Sequence, residues 1–181
     1  MSKRKYSASS VILFSIMFGV ICVLVTWSYI AFRSENKNRV DVKEESKRLV
    51  GKQVILSEFA TNTFQKGMVS ADVNKNSVLL VYLLESCSKC QKEVLMLNQL
   101  VASKGLSIPV VGVMGEEETV VKEYVEKLGI NFPILLDKSR KFAAQNRLVY
   151  FPSNFLVVNG EIRRVFLGVP KRSEELQEFA K

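Results

Sequence analysis

The chain opens on an uncharged apolar block, passes through a charged stretch and continues as a series of short apolar runs. Residues 11–32 carry no charge. At helical rise they cover roughly 33 Å, enough for a hydrocarbon core, and they predict a transmembrane helix with Trp27 and Tyr29 as an interfacial aromatic belt near its far end. A cleaved signal peptide is the competing reading, but the stretch is longer than an h-region and no small-x-small site closes it. Cys22, inside the block, counts there as a small apolar residue. Residues 33–48 are low in apolar content and predict a solvated linker, flexible or partly helical. The expected organisation is a basic tail over 1–10, an anchor over 11–32, a charged linker over 33–48 and a folded domain over 49–181.

Within that domain the apolar period switches repeatedly. Residues 77–85, SVLLVYLLE, form a continuous run rich in β-formers and suit a strand buried on both faces. Cys90, Val94, Leu97 and Val101 then recur at three- and four-residue spacing, the stripe of a helix packed on a sheet. Residues 108–114, IPVVGVM, predict a second buried strand. Residues 116–129 predict a helix with Val120, Val121, Tyr124, Val125 and Leu128 on its apolar side and Gly129 as its cap. The acidic run of Glu116, Glu117 and Glu118 reads as favourable charge at that helix's positive end. Residues 132–137 predict a third strand and 138–146 a short helix. Residues 154–158 and 162–166 predict two strands joined by Asn159-Gly160, a preferred hairpin turn. Ser173 is expected to cap a last helix carrying Leu176, Phe179 and Ala180 on one side. The sum is an α/β domain, a mixed sheet flanked by helices on both faces.

Composition narrows the chemistry. The 181 residues suffice for one domain with a sizeable core and include no histidine, which removes Ser-His-Asp and Cys-His nucleophile systems and imidazole zinc sites. The net charge of +8 raises the question of a nucleic-acid partner. Lys3, Arg4 and Lys5 lie before the apolar block, six further basic residues against four acidic follow it, and 49–181 carry 17 basic against 14 acidic. Most of the excess flanks the block, where anionic headgroups would meet it. No basic stripe with interleaved aromatics appears in the folded part, so no nucleic-acid partner is expected. The basic residues after the block outnumber those before it, against a simple positive-inside count. A cytoplasmic N-terminus is still favoured, because long C-terminal domains cross despite flanking charge.

Cys87-Ser88-Lys89-Cys90 falls where the first buried strand gives way to its helix. Amides at the helix start point toward Cys87, and their partial positive charge, with Lys89 nearby, favours a thiolate there. Two-residue spacing lets Cys90 close a disulfide from a more shielded place on the apolar stripe. Cys87 is therefore expected to attack and Cys90 to resolve, through a mixed disulfide with the partner. A zinc half-site is the other reading of such a pair, but neither histidine nor a second CxxC supplies the remaining ligands. Inert core thiols would leave the placement at the junction without explanation.

These residues resemble the membrane-anchored thioredoxin-like proteins of the TlpA/ResA type, bacterial extracytoplasmic thiol-disulfide oxidoreductases. The resemblance runs over roughly 50–181, from GKQVILSEF through CSKCQKEVLMLNQL to YFPSNFLVVNGEIRRVFLG. It implies a thioredoxin-like fold. That group often carries C-x-x-C-x-x-E, and Glu93 stands at the glutamate's place; by resemblance it influences the proton chemistry of the cysteines, its bland alternative being a solvated carboxylate. Thioredoxin folds also present a cis-proline beside the disulfide, and Phe151-Pro152 before a strand resembles it. By the same resemblance the Phe151 backbone pairs with an extended substrate. Pro133 is the weaker candidate, since it opens an earlier strand. Two departures stand out: Ser86 replaces the bulky residue common before the first cysteine, and Val81 lies where thioredoxin itself has a buried aspartate.

The expected function is a membrane-tethered thiol-disulfide oxidoreductase, a reductase by family analogy, acting on extracytoplasmic protein disulfides in cytochrome c or other enzyme maturation. Its implied partners are protein thiol and disulfide substrates and a membrane electron donor; no cofactor and no metal are expected. The alternatives are a non-catalytic thioredoxin-fold binding module with a structural disulfide, and an atypical peroxiredoxin. The latter's usual P-x-x-x-T-x-x-C signature is missing around Cys87, where Leu84 replaces the threonine.

Overall fold

The structure, a computed structural model, describes residues 8–61 and 77–181, and outside that description also lie the side chains of 8–16 and 34–40. The chain divides into two compact units, one ending at Glu44 and one running Glu45–Lys181. A single helix, α1 (Ala8–Leu49), covers the expected anchor and linker alike. Its interior holds no proline, and Thr26 Oγ1 turns back to donate to the carbonyls of Cys22 and Val23, both at 2.9 Å. Among the described residues, no helix is long and apolar enough to cross a membrane. The expected anchor reaches back over 11–16, whose side chains lie outside the description. From 17 to 33 the side chains are exposed, Phe18, Trp27 and Ile30 by two thirds or more.

The second unit is built on six strands: β1 (Ala60–Thr61), β2 (Ser77–Leu83), β3 (Val110–Met114), β4 (Ile134–Leu136), β5 (Ser153–Val158) and β6 (Glu161–Leu167). Their order across the sheet is β1-β4-β3-β2-β5-β6. β2, β3 and β4 run parallel, while β1, β5 and β6 pair antiparallel. Between them come α2 (Ser88–Ala102), α3 (Glu118–Leu128), α4 (Lys141–Gln145) and, at the end, α5 (Ser173–Phe179). Parallel strands need crossovers, which α2 and α3 supply; β5 and β6 need only the two-residue turn. At that turn Asn159 (φ 52°) and Gly160 (φ 77°) both take the positive φ that a primed hairpin turn demands.

β2 shows why the sheet has two covered faces. Its side chains alternate, so Leu79, Val81 and Leu83 enter one core with Cys90, Val94 and Leu97 of α2, Val121 and Tyr124 of α3 and Leu176 of α5. Val78, Leu80 and Tyr82 enter the other, with Leu49, Phe142 of α4 and Phe155. Every β2 residue after Ser77 is buried, as the unbroken apolar run requires. Gly112 of β3 lies so close to Ile134 that any side chain there would collide with it.

Several elements differ from the sequence expectation. β1 is an added edge strand of two residues, too short to leave a period. The second strand begins at Val110, the third at Ile134, and the second helix at Glu118. Gly129 closes that helix in the left-handed conformation, as expected. Val120 is more than a third exposed and lies off the buried stripe. The stretch after β4 is a 3-10 turn, Lys138–Arg140, followed by α4, because Ser139 and Arg140 both adopt positive φ. Ser173 does not cap α5. Arg172 holds the N-cap position without a side-chain bond, and the Glu175 carboxylate instead accepts from the Lys171 amide at 3.0 Å.

Candidate active site

Cys87 is the N-cap of α2, extended at φ −93° and ψ 105°. Its Sγ accepts the Cys90 amide at 3.1 Å, while its carbonyl starts the helix by accepting from Gln91 at 3.2 Å. The sulfur at an N-cap thus receives one of the amides that a helix start leaves without an internal partner. Cys87 is half-buried and Cys90 is fully buried, and both are free thiols. Burial pushes the Cys90 thiol well above its ordinary range, and its hydrogen bond to Cys87 and the nearby Glu93 carboxylate add to the rise.

Glu93 follows Cys90 by one helical turn and is likewise at zero exposure. Neither of its carboxylate oxygens has a hydrogen-bond partner among the described residues. Burial pushes the carboxyl up to about 8, an effect that neighbouring Asn154 tempers. Asn154 lies on β5 directly opposite Val81 and so faces α2, where its own amide oxygen and nitrogen also lack partners of normal geometry. The Tyr124 hydroxyl, reaching this core from α3, is a third such group. Its ionisation is pushed up by burial first, then by the negative charge that either cysteine would carry.

The Phe151-Pro152 peptide is cis. It brings the Phe151 carbonyl to 3.8 Å from Cys87 Sγ, and the Pro152 carbonyl accepts from Gly168 at 2.8 Å at the end of β6. The Phe151 ring packs 5.7 Å from Tyr82. Tyr82 donates to Asp137 at 2.8 Å, and Asp137 accepts the amides of Phe142 and Ala143 at the start of α4, at 2.9 and 3.0 Å. This buried cluster ties the strand beneath the cysteines to the helix beside Phe151. Glu116 was expected only to charge the start of α3. It accepts instead from the Glu85 amide at 3.3 Å, two residues before Cys87, and pairs with Arg140 at 3.8 Å.

The structure therefore gathers Cys87, Cys90, Glu93, Phe151 and Pro152 at one end of the sheet, beyond the carboxyl ends of the parallel strands. Lys89 is exposed, and Pro133 lies apart, its carbonyl bound to Gly112 between β3 and β4. Sequence reasoning gave no role in the site to Asn154, Tyr124, Glu116 or the Tyr82–Asp137 pair. Asn154 carried the clearest signal, as a polar residue opening the apolar run Phe155, Leu156, Val157 and Val158 two residues after Pro152. Glu116 and Asp137 each follow a parallel strand, but nothing local reveals which backbone amide a carboxylate will meet.

A CxxC at the start of a helix, the carbonyl of the residue before a cis-proline against its first sulfur and a mixed sheet of this order define a thioredoxin-like fold with a site of the thiol-disulfide exchange type. Residues 50–165, more than half of the chain, match the AhpC/TSA family. The chain belongs to that family. It is 26% identical over 108 residues to thiol-disulfide oxidoreductase ResA of Geobacillus kaustophilus, a match covering 58% of this chain and 62% of that protein, which is less than two thirds of its length. Against the ResA of Bacillus thuringiensis it is 22% identical over 174 residues, 92% of this chain and 95% of that one. In fold it is similar to StoA from Bacillus subtilis, with a TM-score of 0.52 and 22% identity over 59% of this chain and 83% of the StoA chain.

Proposed function

We propose that this protein is a membrane-tethered reductase of extracytoplasmic protein disulfides. The observation that carries the reading is the asymmetry of the pair: Cys87 half-exposed at the helix N-cap against the Phe151 carbonyl, Cys90 sealed behind it beside a buried carboxyl group.

In the first step the Cys87 thiolate attacks one sulfur of a substrate disulfide. A Cys87–substrate disulfide forms, the substrate S–S bond breaks, and one substrate sulfur leaves as a thiolate. Cys90, which burial keeps protonated, then gives its proton to the ionised fraction of Glu93, which is small below about pH 8 and grows above it, as its sulfur attacks Cys87 Sγ. The mixed disulfide breaks, the second substrate sulfur leaves, and a Cys87–Cys90 disulfide remains. The substrate has gained two electrons and the pair has lost two, which an external dithiol, in this reading a membrane electron donor, restores. Phe151 supplies backbone for an extended substrate segment, and Pro152 holds that backbone in place.

The tether rests on the uncharged run over 11–32 and the apolar side chains that α1 exposes. The direction of transfer and a role in maturing cytochrome c or another disulfide-bearing enzyme rest on the resemblance to the TlpA/ResA group alone. The test is trapping: Cys90→Ala should accumulate covalent partners released by reductant, and Cys87→Ala should accumulate none. Equal trapping by both variants, or by neither, would overturn the assignment of roles.

A further inference from the structure

A groove of about 320 Å³, lined in part by Phe151, opens on the face of the sheet that α4 covers. Its floor is apolar, formed by Leu84, Phe151, Leu148 and Val149, and its rim carries Arg140 and Arg147. Val149 is 68% exposed, more than any other large apolar side chain described in Glu45–Lys181, and none of the described residues of that unit covers it. Leu84 lies three residues before Cys87, and Phe151 offers the carbonyl that faces its sulfur, so the groove is continuous with the site. The volume sits at the lower end of the range for binding clefts, roughly 300–1,000 Å³, which suits one or two side chains of an extended chain.

The two arginines differ. Arg140 is held by Glu116 at 3.8 Å, whereas the Arg147 guanidinium makes no ion pair among the described residues. Both take a positive φ, 52° and 48°, a region that an arginine seldom occupies and that clusters at ligand clamps. The Arg147 backbone is fixed there by its amide, bound to the Ala144 carbonyl at 3.1 Å, and by its own carbonyl, which accepts from Arg48 at 3.3 Å. An apolar floor with one uncompensated cation at its rim is complementary to an apolar side chain followed by an acid.

On the oxidoreductase reading above, we propose that this groove is a specificity subsite: it takes an apolar side chain near the substrate's cysteine, and Arg147 selects an adjacent aspartate or glutamate. The occupant is the polypeptide whose disulfide is being reduced.

The test uses the reduced full chain and short peptides with one cysteine held as a mixed disulfide with mercaptoethanol. Each turnover converts that disulfide to two thiols and the Cys87–Cys90 dithiol to a disulfide. Leucine two residues from the cysteine with an adjacent aspartate should react roughly three- to fivefold faster in second-order rate constant than the same peptide with lysine, and exchanging the leucine for serine should cost about tenfold. Arg147→Glu should invert the aspartate-to-lysine ratio, whereas Lys122→Glu, on α3 across the sheet, should leave that ratio alone. Bis(2-hydroxyethyl) disulfide, which has no side chains to place, reports the chemistry separately. If it is reduced but the peptides react alike, or Arg147→Glu leaves the ratio unmoved, the subsite is overturned and the oxidoreductase reading stands. If neither it nor any peptide is reduced, both fall.

Discussion

Glu93 lies on the buried face of α2 with both carboxylate oxygens out of solvent and, among the described residues, no hydrogen bond of normal geometry to either. Such a group keeps its proton rather than its charge. Folding holds that proton up to about pH 8, whereas an exposed glutamate releases it near 4.5. Between those values the native state binds more protons than the unfolded chain. Stability contributed by the neutral carboxyl is therefore fully present below about pH 4.5 and is lost as pH rises to about 8. The loss is at most roughly 5 kcal/mol. Glu93→Gln, neutral at every pH, should flatten this slope in urea-unfolding midpoints measured from pH 5 to 8, and should slow Cys90's attack on the mixed disulfide. An unchanged slope would mean that Glu93 is ionised and solvated in the native protein. At this scale the two cysteines were legible from their spacing at a strand-to-helix junction, and Glu93 was singled out only through the resemblance. Asn154 and Tyr124 were not, because they meet Glu93's surroundings only through strand pairing and helix packing.

At the scale of the elements, α4 is five residues long and begins from an arginine in the left-handed conformation, so its own propensity does little to hold it. Asp137 does, by accepting two amides at its start and the Tyr82 hydroxyl from β2. Removing it strands three buried donors. Asp137→Ala should lower stability by about 3 kcal/mol, and Tyr82→Phe, which leaves the two amides satisfied, by about 1 kcal/mol, both read as shifts in the urea midpoint with the slope unchanged. A smaller loss for Asp137→Ala than for Tyr82→Phe would contradict this cap. The strands and long helices could be read from period because burial imposes it. The short pieces could not: β1 and the 3-10 turn before α4 are set by pairing with β4 and by positive φ at Ser139 and Arg140, neither of which leaves a hydrophobic rhythm.

Across the whole second unit, polar functional groups follow each parallel strand: Cys87 after β2, Glu116 after β3 and Asp137 after β4. Each is beyond a carboxyl end, where an open α/β sheet leaves room for chemistry. The β5–β6 hairpin completes the site from the other side by delivering Phe151 and Pro152 at its entry. This convergence explains why the fold class was readable from alternating runs while the contacts of Glu116 and Asp137 were not: they exist only once three strands lie side by side. The central claim is that Cys87 and Cys90 form one two-electron couple poised for reduction. The measurement is equilibration of the full chain in thiol–disulfide buffers, with the Cys87 and Cys90 peptides followed by mass after alkylation. The account predicts a single transition joining those two residues, lying below about −220 mV, the upper edge of the cytosolic glutathione poise. A transition near −120 mV, as for a strong oxidant, would reverse the direction of transfer, and the absence of a Cys87–Cys90 disulfide at any poise would contradict the account altogether.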